Sequence, residues 1–190
     1  MKRTIILLFV LLVATAAVPA FAAGPAGEYF KDIVLTDQNG HRVRLYEDVI
    51  KDRTVVLNSF FATCKGSCPI MTQTYISLQN RFADHVGKDL MLVSITVDPD
   101  NDTPPKLAAY ARNAKAKPGW LLLTGSKDEV TRALKKIGQS SETPETHFNV
   151  MIVGNDRTGL WKKAFALAKP DEIAGIVSSV LNDRGEATTK

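Results

Sequence analysis

Apolar residues along this chain fall into runs of two kinds. Thr54 to Phe61 (TVVLNSFF) and Leu90 to Val97 (LMLVSITV) are nearly unbroken and rich in β-branched side chains, the pattern of strands covered on both faces. From Pro69 the period changes. Met71, Tyr75, Leu78 and Phe82 recur at i, i+4, i+7 and i+11, with Gln73, Gln79 and Asn80 on the other side, which predicts a helix with Pro69 in its first turn. Pro104-Pro105 opens a second helix through Leu107, Ala108 and Ala111, and a third starts near Ser126 with Val130, Leu134 and Ile137 inward. Trp120 to Thr124 reads as a short strand between them. Asn149 to Gly154 and Leu160 to Ala166 read as strands joined by a turn at residues 155–159, and a last helix spans about Pro170 to Leu181. Near the start, Ile33-Val34-Leu35 and Val43-Arg44-Leu45 flank Asp37-Gln38-Asn39-Gly40, a hairpin signal. Strands alternating with helices predict an α/β sandwich, a central sheet with helices on both faces.

The first residues follow another rule. Lys2 and Arg3 precede an apolar stretch from Ile5 to Ala14, and Pro19 and Ala20-Phe21-Ala22 follow. This is the layout of a secretory signal, so residues 1–22 are read as a cleaved leader and 23–190 as a single domain, with a flexible lead over 23–28 and a frayed tail over 183–190. The apolar run is short for a bilayer span of ~20 residues. The mature chain is therefore expected in the periplasm with no stable membrane anchor; an uncleaved leader would tether it instead. No cysteine follows the leader, which argues against a lipid-modified N-terminus. Without Lys2 and Arg3 the chain keeps 22 basic against 20 acidic side chains. Lys135-Lys136 and Lys162-Lys163 are isolated pairs rather than a basic stripe with interleaved aromatics, so nucleic-acid binding is not expected.

The chemistry concentrates at Phe60-Phe61-Ala62-Thr63-Cys64-Lys65-Gly66-Ser67-Cys68-Pro69, which holds the only two cysteines. They lie where a strand gives way to a helix, the place where reactive groups collect in β–α units. A helix N-terminus favours anions, so both sulfurs are expected to have lowered pKa values. In an oxidising compartment the pair can form a structural disulfide, exchange disulfides or hold a soft metal ion. A bridge over so short a loop stabilises little. Disulfide-exchange proteins usually space the pair by two residues, and the three here leave room for an ion. Two thiolates with one imidazole suit Cu(I), whereas tetrahedral zinc wants a fourth ligand.

Of the three histidines, His41 falls in the hairpin turn and His85 near a helix C-terminus. His147 stands just before the strand that begins at Val150, after a polar stretch from Gly138 to Thr146 with no period. FFATCKGSCPIM, ITVDPDNDTPPKLAAYA, GWLLLTG and His147, in this order and spacing, resemble the Sco (SenC) family over about residues 28 to 181. That resemblance implies a thioredoxin-like fold and an exported protein that assists copper insertion into cytochrome c oxidase. It also implies Cys64, Cys68 and His147 as ligands of one copper per chain, as Cu(I) or Cu(II). The partner would be a cuproprotein acceptor such as an oxidase subunit with a copper site. Cys64 and Cys68 would double as a redox pair, so a thiol–disulfide oxidoreductase that reduces acceptor cysteines is the alternative to a chaperone.

Many family members carry an acidic residue between the cysteines, where this chain has Lys65-Gly66-Ser67. A cation there favours thiolates and disfavours a bound metal ion. Asp98, Asp100 and Asp102 imitate the start of a calcium loop, but Thr103 and Ala109 stand where such a loop needs glycine and glutamate. By the resemblance Asp98 is structural, or lies just behind the copper ligands. Met71, Met91 and Met151 fall on core-facing positions, and a peroxidase reading of Thr63-Cys64 lacks the preceding proline.

Overall fold

The computed structural model describes residues 25–141, 143–144 and 149–185. Its elements are α1 (Pro25–Phe30), β1 (Val34–Asp37), β2 (Arg42–Arg44), a π-helical turn (Leu45–Ile50), β3 (Thr54–Phe60), α2 (Cys68–Arg81), β4 (Leu90–Thr96), α3 (Pro104–Asn113), β5 (Trp120–Thr124), α4 (Lys127–Lys136), β6 (Val150–Asn155), β7 (Leu160–Phe165) and α5 (Pro170–Leu181).

Seven strands form one mixed sheet in the order β2-β1-β5-β4-β3-β6-β7. The middle strands β3, β4 and β5 run parallel, with Leu57 opposite Val93 and Val93 opposite Leu121. The β1–β2 hairpin joins antiparallel at one edge and the β6–β7 hairpin at the other. Alternate residues of each strand feed opposite layers. Val56, Leu92 and Leu122 pack with Met71, Tyr75 and Leu78 of α2, Leu107 of α3 and Ile173 and Val177 of α5. Val55, Leu57, Val93 and Ile95 pack with Phe30, the π-helical turn and Val130 and Leu134 of α4. This is the expected α/β architecture, thioredoxin-like with an N-terminal hairpin.

Helix α2 is held to the sheet by more than apolar contact. The buried Tyr75 hydroxyl lies 3.1 Å from the carbonyl oxygens of both Val56 and Val93. A buried hydroxyl without such acceptors would cost about 1–3 kcal/mol, so this bond fixes where α2 sits and hence where its first residue, Cys68, begins.

The structure departs from the sequence reading in three places. The segment read as a flexible lead is helical from Pro25, and Ala26 and Phe30 are buried. The reason is aromatic packing: Phe30 lies 5.7 Å from the Trp161 ring, while the Lys136 ammonium sits 4.2 Å over the Tyr29 ring. Gln79, placed with the polar residues of α2, is buried, because its amide accepts from the Lys117 N–H at 3.1 Å and donates to the Lys115 carbonyl at 3.0 Å. The turn Leu45–Ile50 was not read as helical at all, although Leu45, Tyr46, Val49 and Ile50 are buried on one side of it. Lys135, Lys162 and Lys163 are exposed. Of the expected tail, residues 186–190 lie outside the described residues.

Candidate metal centre

Strand β3 ends at Phe60 in the middle of the sheet, and the chain crosses residues 61–67 without regular structure before α2 starts at Cys68. The Cys64 N–H donates back to the Phe61 carbonyl at 3.2 Å, and the Ser67 carbonyl accepts from both Ile70 and Met71 at 3.1 Å. Pro69 follows Cys68 in the first turn, where its missing N–H leaves no bond unmade. Both cysteines are present as thiols, Cys64 half-buried and Cys68 buried at 1% exposure.

The expectation that both sulfurs are acidified fails for Cys68. Its pKa is pushed up to about 12, first by burial and then by its hydrogen bond with the Cys64 thiol. Desolvating a thiolate inside the buried cluster that includes Phe60 and Met71 outweighs the field of a helix terminus. The influence of one thiol on the other means that the two sulfurs lie near each other, which is what any shared chemistry requires.

The segment joining β4 to α3 packs against this loop. Asp102 is buried, and its Oδ2 accepts from the Ala62 N–H at 3.0 Å and from the Thr96 hydroxyl at 2.6 Å. Burial raises its pKa above the ordinary carboxylate range, an effect these two donors only partly offset. From α3, the Tyr110 hydroxyl meets Thr72 Oγ1 at 2.6 Å. Thr72 in turn donates to the Cys68 carbonyl at 2.8 Å. Because the threonine proton is engaged there, the tyrosine is the donor. Burial holds the Tyr110 phenol protonated, and both cysteine sulfurs add to that effect. From the sequence Asp102 stands out only as part of a calcium-loop imitation, and Thr72 and Tyr110 carry no signal of their own beyond Tyr110's place in the motif ITVDPDNDTPPKLAAYA.

The remaining candidates separate cleanly. His41 is 76% exposed in the hairpin turn, 3.4 Å from Asp37. His85 pairs with Asp89 at 3.0 Å just before β4 begins, at the opposite end of the parallel strands from the cysteine loop. His147 lies outside the described residues. Among the described residues no set of three histidine, cysteine or carboxylate side chains converges as a metal site. The three aspartates do not gather either: the Asp98 carboxylate is taken by the Asn101 amide, and Asp102 turns inward to Ala62. The Asp98 N–H donates to Thr96 Oγ1 at 2.9 Å, and among the described residues Asp102 is the acidic residue that reaches the loop. Met71, Met91 and Met151 are buried in the core as expected.

What the arrangement offers chemically is a neighbouring pair of soft sulfur donors, one half-exposed and one buried, at the mouth of a strand-to-helix turn. Comparison with known proteins agrees with this chemistry. The sequence model of the SCO1/SenC family matches residues 23–153. A SCO1 protein homolog of Bacillus subtilis (strain 168) is 30% identical over 139 residues, 71% of this chain and 65% of that protein, so the match spans just under two thirds of the relative's own length. The structure of BsSco, described as a member of the Sco family of cytochrome c oxidase assembly proteins with a disulfide switch, is 26% identical. It superposes with a TM-score of 0.64, covering 77% of this chain and 90% of that one. Yeast Sco1 with copper bound shares the fold at 22% identity and a TM-score of 0.63, covering 83% of this chain and 93% of its own. With a thiol pair at the β3–α2 junction of this fold and a family match over most of its length, the chain belongs to the SCO1/SenC family.

Proposed function

We propose that this protein is an exported copper chaperone in which Cys64, Cys68 and His147 hold one copper ion, as cargo, for transfer to a cuproprotein acceptor such as an oxidase subunit with a copper site. The observation that carries this reading is the pair of reduced thiols of unequal exposure, near enough to influence one another, at the β3–α2 junction. Soft thiolates suit Cu(I), and a set of three ligands leaves tetrahedral zinc one short. Family membership and the copper-bound yeast relative support the same cargo. Cys68 must give up its proton when the ion is loaded, and metal binding releases protons in general. The half-exposed Cys64 is the donor that an acceptor's thiol reaches first, so ligand exchange starts there while Cys68 retains the ion. Export rests on the leader-like residues 1–22; among the described residues no helix is long and apolar enough to cross a membrane.

Anaerobic titration of the reduced protein with Cu(I), then Cu(II), is expected to give one equivalent bound, with thiolate-to-Cu(II) charge transfer in the visible spectrum. His147→Ala is expected to lose stable Cu(II) binding while the disulfide still forms. Unchanged Cu(II) affinity and spectrum in that variant would remove His147 from the site.

The same asymmetry favours a second reading, a thiol–disulfide reductase for acceptor cysteines. Cys64 would attack the acceptor disulfide, forming a mixed disulfide and releasing one acceptor thiol. Cys68 would then resolve it, freeing the second thiol and leaving the Cys64–Cys68 disulfide for an external dithiol to reduce. A strongly reducing potential for the pair would support this role, and an oxidising one would exclude it.

A further inference from the structure

We infer that Asp102 and Tyr110 are positioning residues that clamp the cysteine loop at its two ends, Asp102 through the Ala62 N–H and Tyr110 through Thr72 to the Cys68 carbonyl, so that the two sulfurs meet. The inference deepens the reading of the site above and rests on Cys64 and Cys68 being its working pair.

The loop has little to hold itself. Between Ala62 and Cys68 it has no regular structure, and Thr63, Lys65 and Gly66 are exposed. Its Cys64 N–H bond spans only three residues. Among the described residues, two ties from outside fall at its boundaries. At the first, Asp102 Oδ2 takes the Ala62 N–H, two residues before Cys64. The carboxylate is itself held by the Thr96 hydroxyl and by its own N–H bond to the Asp98 carbonyl at 2.8 Å. At the second, the relay from Tyr110 through Thr72 ends on the carbonyl of Cys68 itself.

Both ties issue from one rigid unit. Asp102 stands just before Pro104-Pro105, which open α3. Two turns along that helix Tyr110 packs its ring 5.3 Å from Phe60, the last residue of β3. The β4–α3 unit therefore grips the chain on either side of the exposed residues. Restraining both ends raises the effective concentration of one sulfur at the other, the gain expected whenever reacting groups are held together.

The test uses reduced protein without copper, equilibrated with glutathione and glutathione disulfide. Two protein thiols give two electrons and two protons to the glutathione disulfide, which leaves as two glutathione thiols; the oxidised fraction is trapped by alkylation and weighed by mass spectrometry. Asp102→Ala is expected to lower the equilibrium constant for disulfide formation about tenfold, a shift of ~30 mV for this two-electron couple. Asp102→Asn can place an amide oxygen where Oδ2 stands and is expected to stay within about twofold of wild type. Tyr110→Phe keeps the ring against Phe60 and loses only the relay, so a fall of about threefold or more is expected with the unfolding midpoint unchanged. The clamp is overturned if Tyr110→Phe leaves the constant within twofold, or if Asp102→Asn falls as far as Asp102→Ala. Should Asp102→Ala fail to fold, Tyr110→Phe decides alone. Because copper is absent throughout, failure of the copper titration in the wild-type protein would sink the chaperone reading and leave this result standing.

Discussion

Cys64 and Cys68 lie four residues apart and the Cys64 thiol helps to hold the proton on Cys68, yet Cys64 is half-exposed and Cys68 is buried in the same core cluster as Phe60 and Met71. Reactivity follows the thiolate and its access, so the two should behave differently in the same molecule. Iodoacetamide at pH 7 is expected to modify Cys64 at least about tenfold faster than Cys68 in the reduced, metal-free protein. In Cys64→Ser the remaining thiol should react appreciably only in alkaline solution, because burial, the larger cause of its raised pKa, persists. Equal rates by peptide mass mapping would contradict the asymmetry.

Lys65 places an exposed cation in the loop that separates the two cysteines. Reversing it in Lys65→Glu is expected to tighten copper binding about threefold in dilute buffer, the size of an exposed charge effect. The gain should vanish near 1 M salt, where the Debye length is ~3 Å. Competition titration against a chelator at two ionic strengths measures both; a gain that survives high salt would point to direct ligation by the new carboxylate.

Asp102 makes stability depend on pH in a definite sense. Burial raises its folded-state pKa above the ordinary 3.8, so the folded chain binds this proton more tightly than the unfolded one. The cost of its buried charge is absent below the unfolded pKa and grows as pH rises through the raised folded value. Asp102→Asn carries no such charge. Its stability relative to wild type should therefore increase from pH 4 to pH 8 in urea denaturation, and a pH-independent difference would mean that Asp102 is not shifted.

Gly154 faces Trp161 across the β6–β7 pair, and a Cβ at that position would stand 2.1 Å from the indole ring. Gly154→Ala is expected to destabilise the fold by about 1–3 kcal/mol, the usual cost of overpacking. Trp161→Ala in the same chain should relieve most of that penalty. The loss should appear in the denaturation midpoint while copper stoichiometry stays at one, since Gly154 pairs with Val55 near the start of β3, at the opposite end of that strand from the cysteine loop.

Much of the framework was legible because it is written in local periodicity. Unbroken apolar runs marked β3 and β4 as central strands, and a change of period at Pro69 marked α2, because strand and helix present side chains at different angular intervals. Trp120–Thr124 and Pro170–Leu181 match the observed elements to the residue. The π-helical turn was missed although its apolar spacing was visible, since Leu45 also completes the apolar pattern of the preceding strand. Gln79 was misplaced because its partners, Lys115 and Lys117, lie in a loop more than thirty residues away.

The cysteine pair, its junction between strand and helix, and its family pattern belong to the sequence alone, since spacing and residue type are enough to define them. Which sulfur is exposed, why Cys68 holds its proton, and how Asp102 and Tyr110 grip the loop were decided only by the tertiary structure. Burial and long-range hydrogen bonds arise when segments forty residues apart are packed together. In Cys68 the desolvation imposed by that packing overrode the local helix-terminus field from which an acidic thiol had been expected.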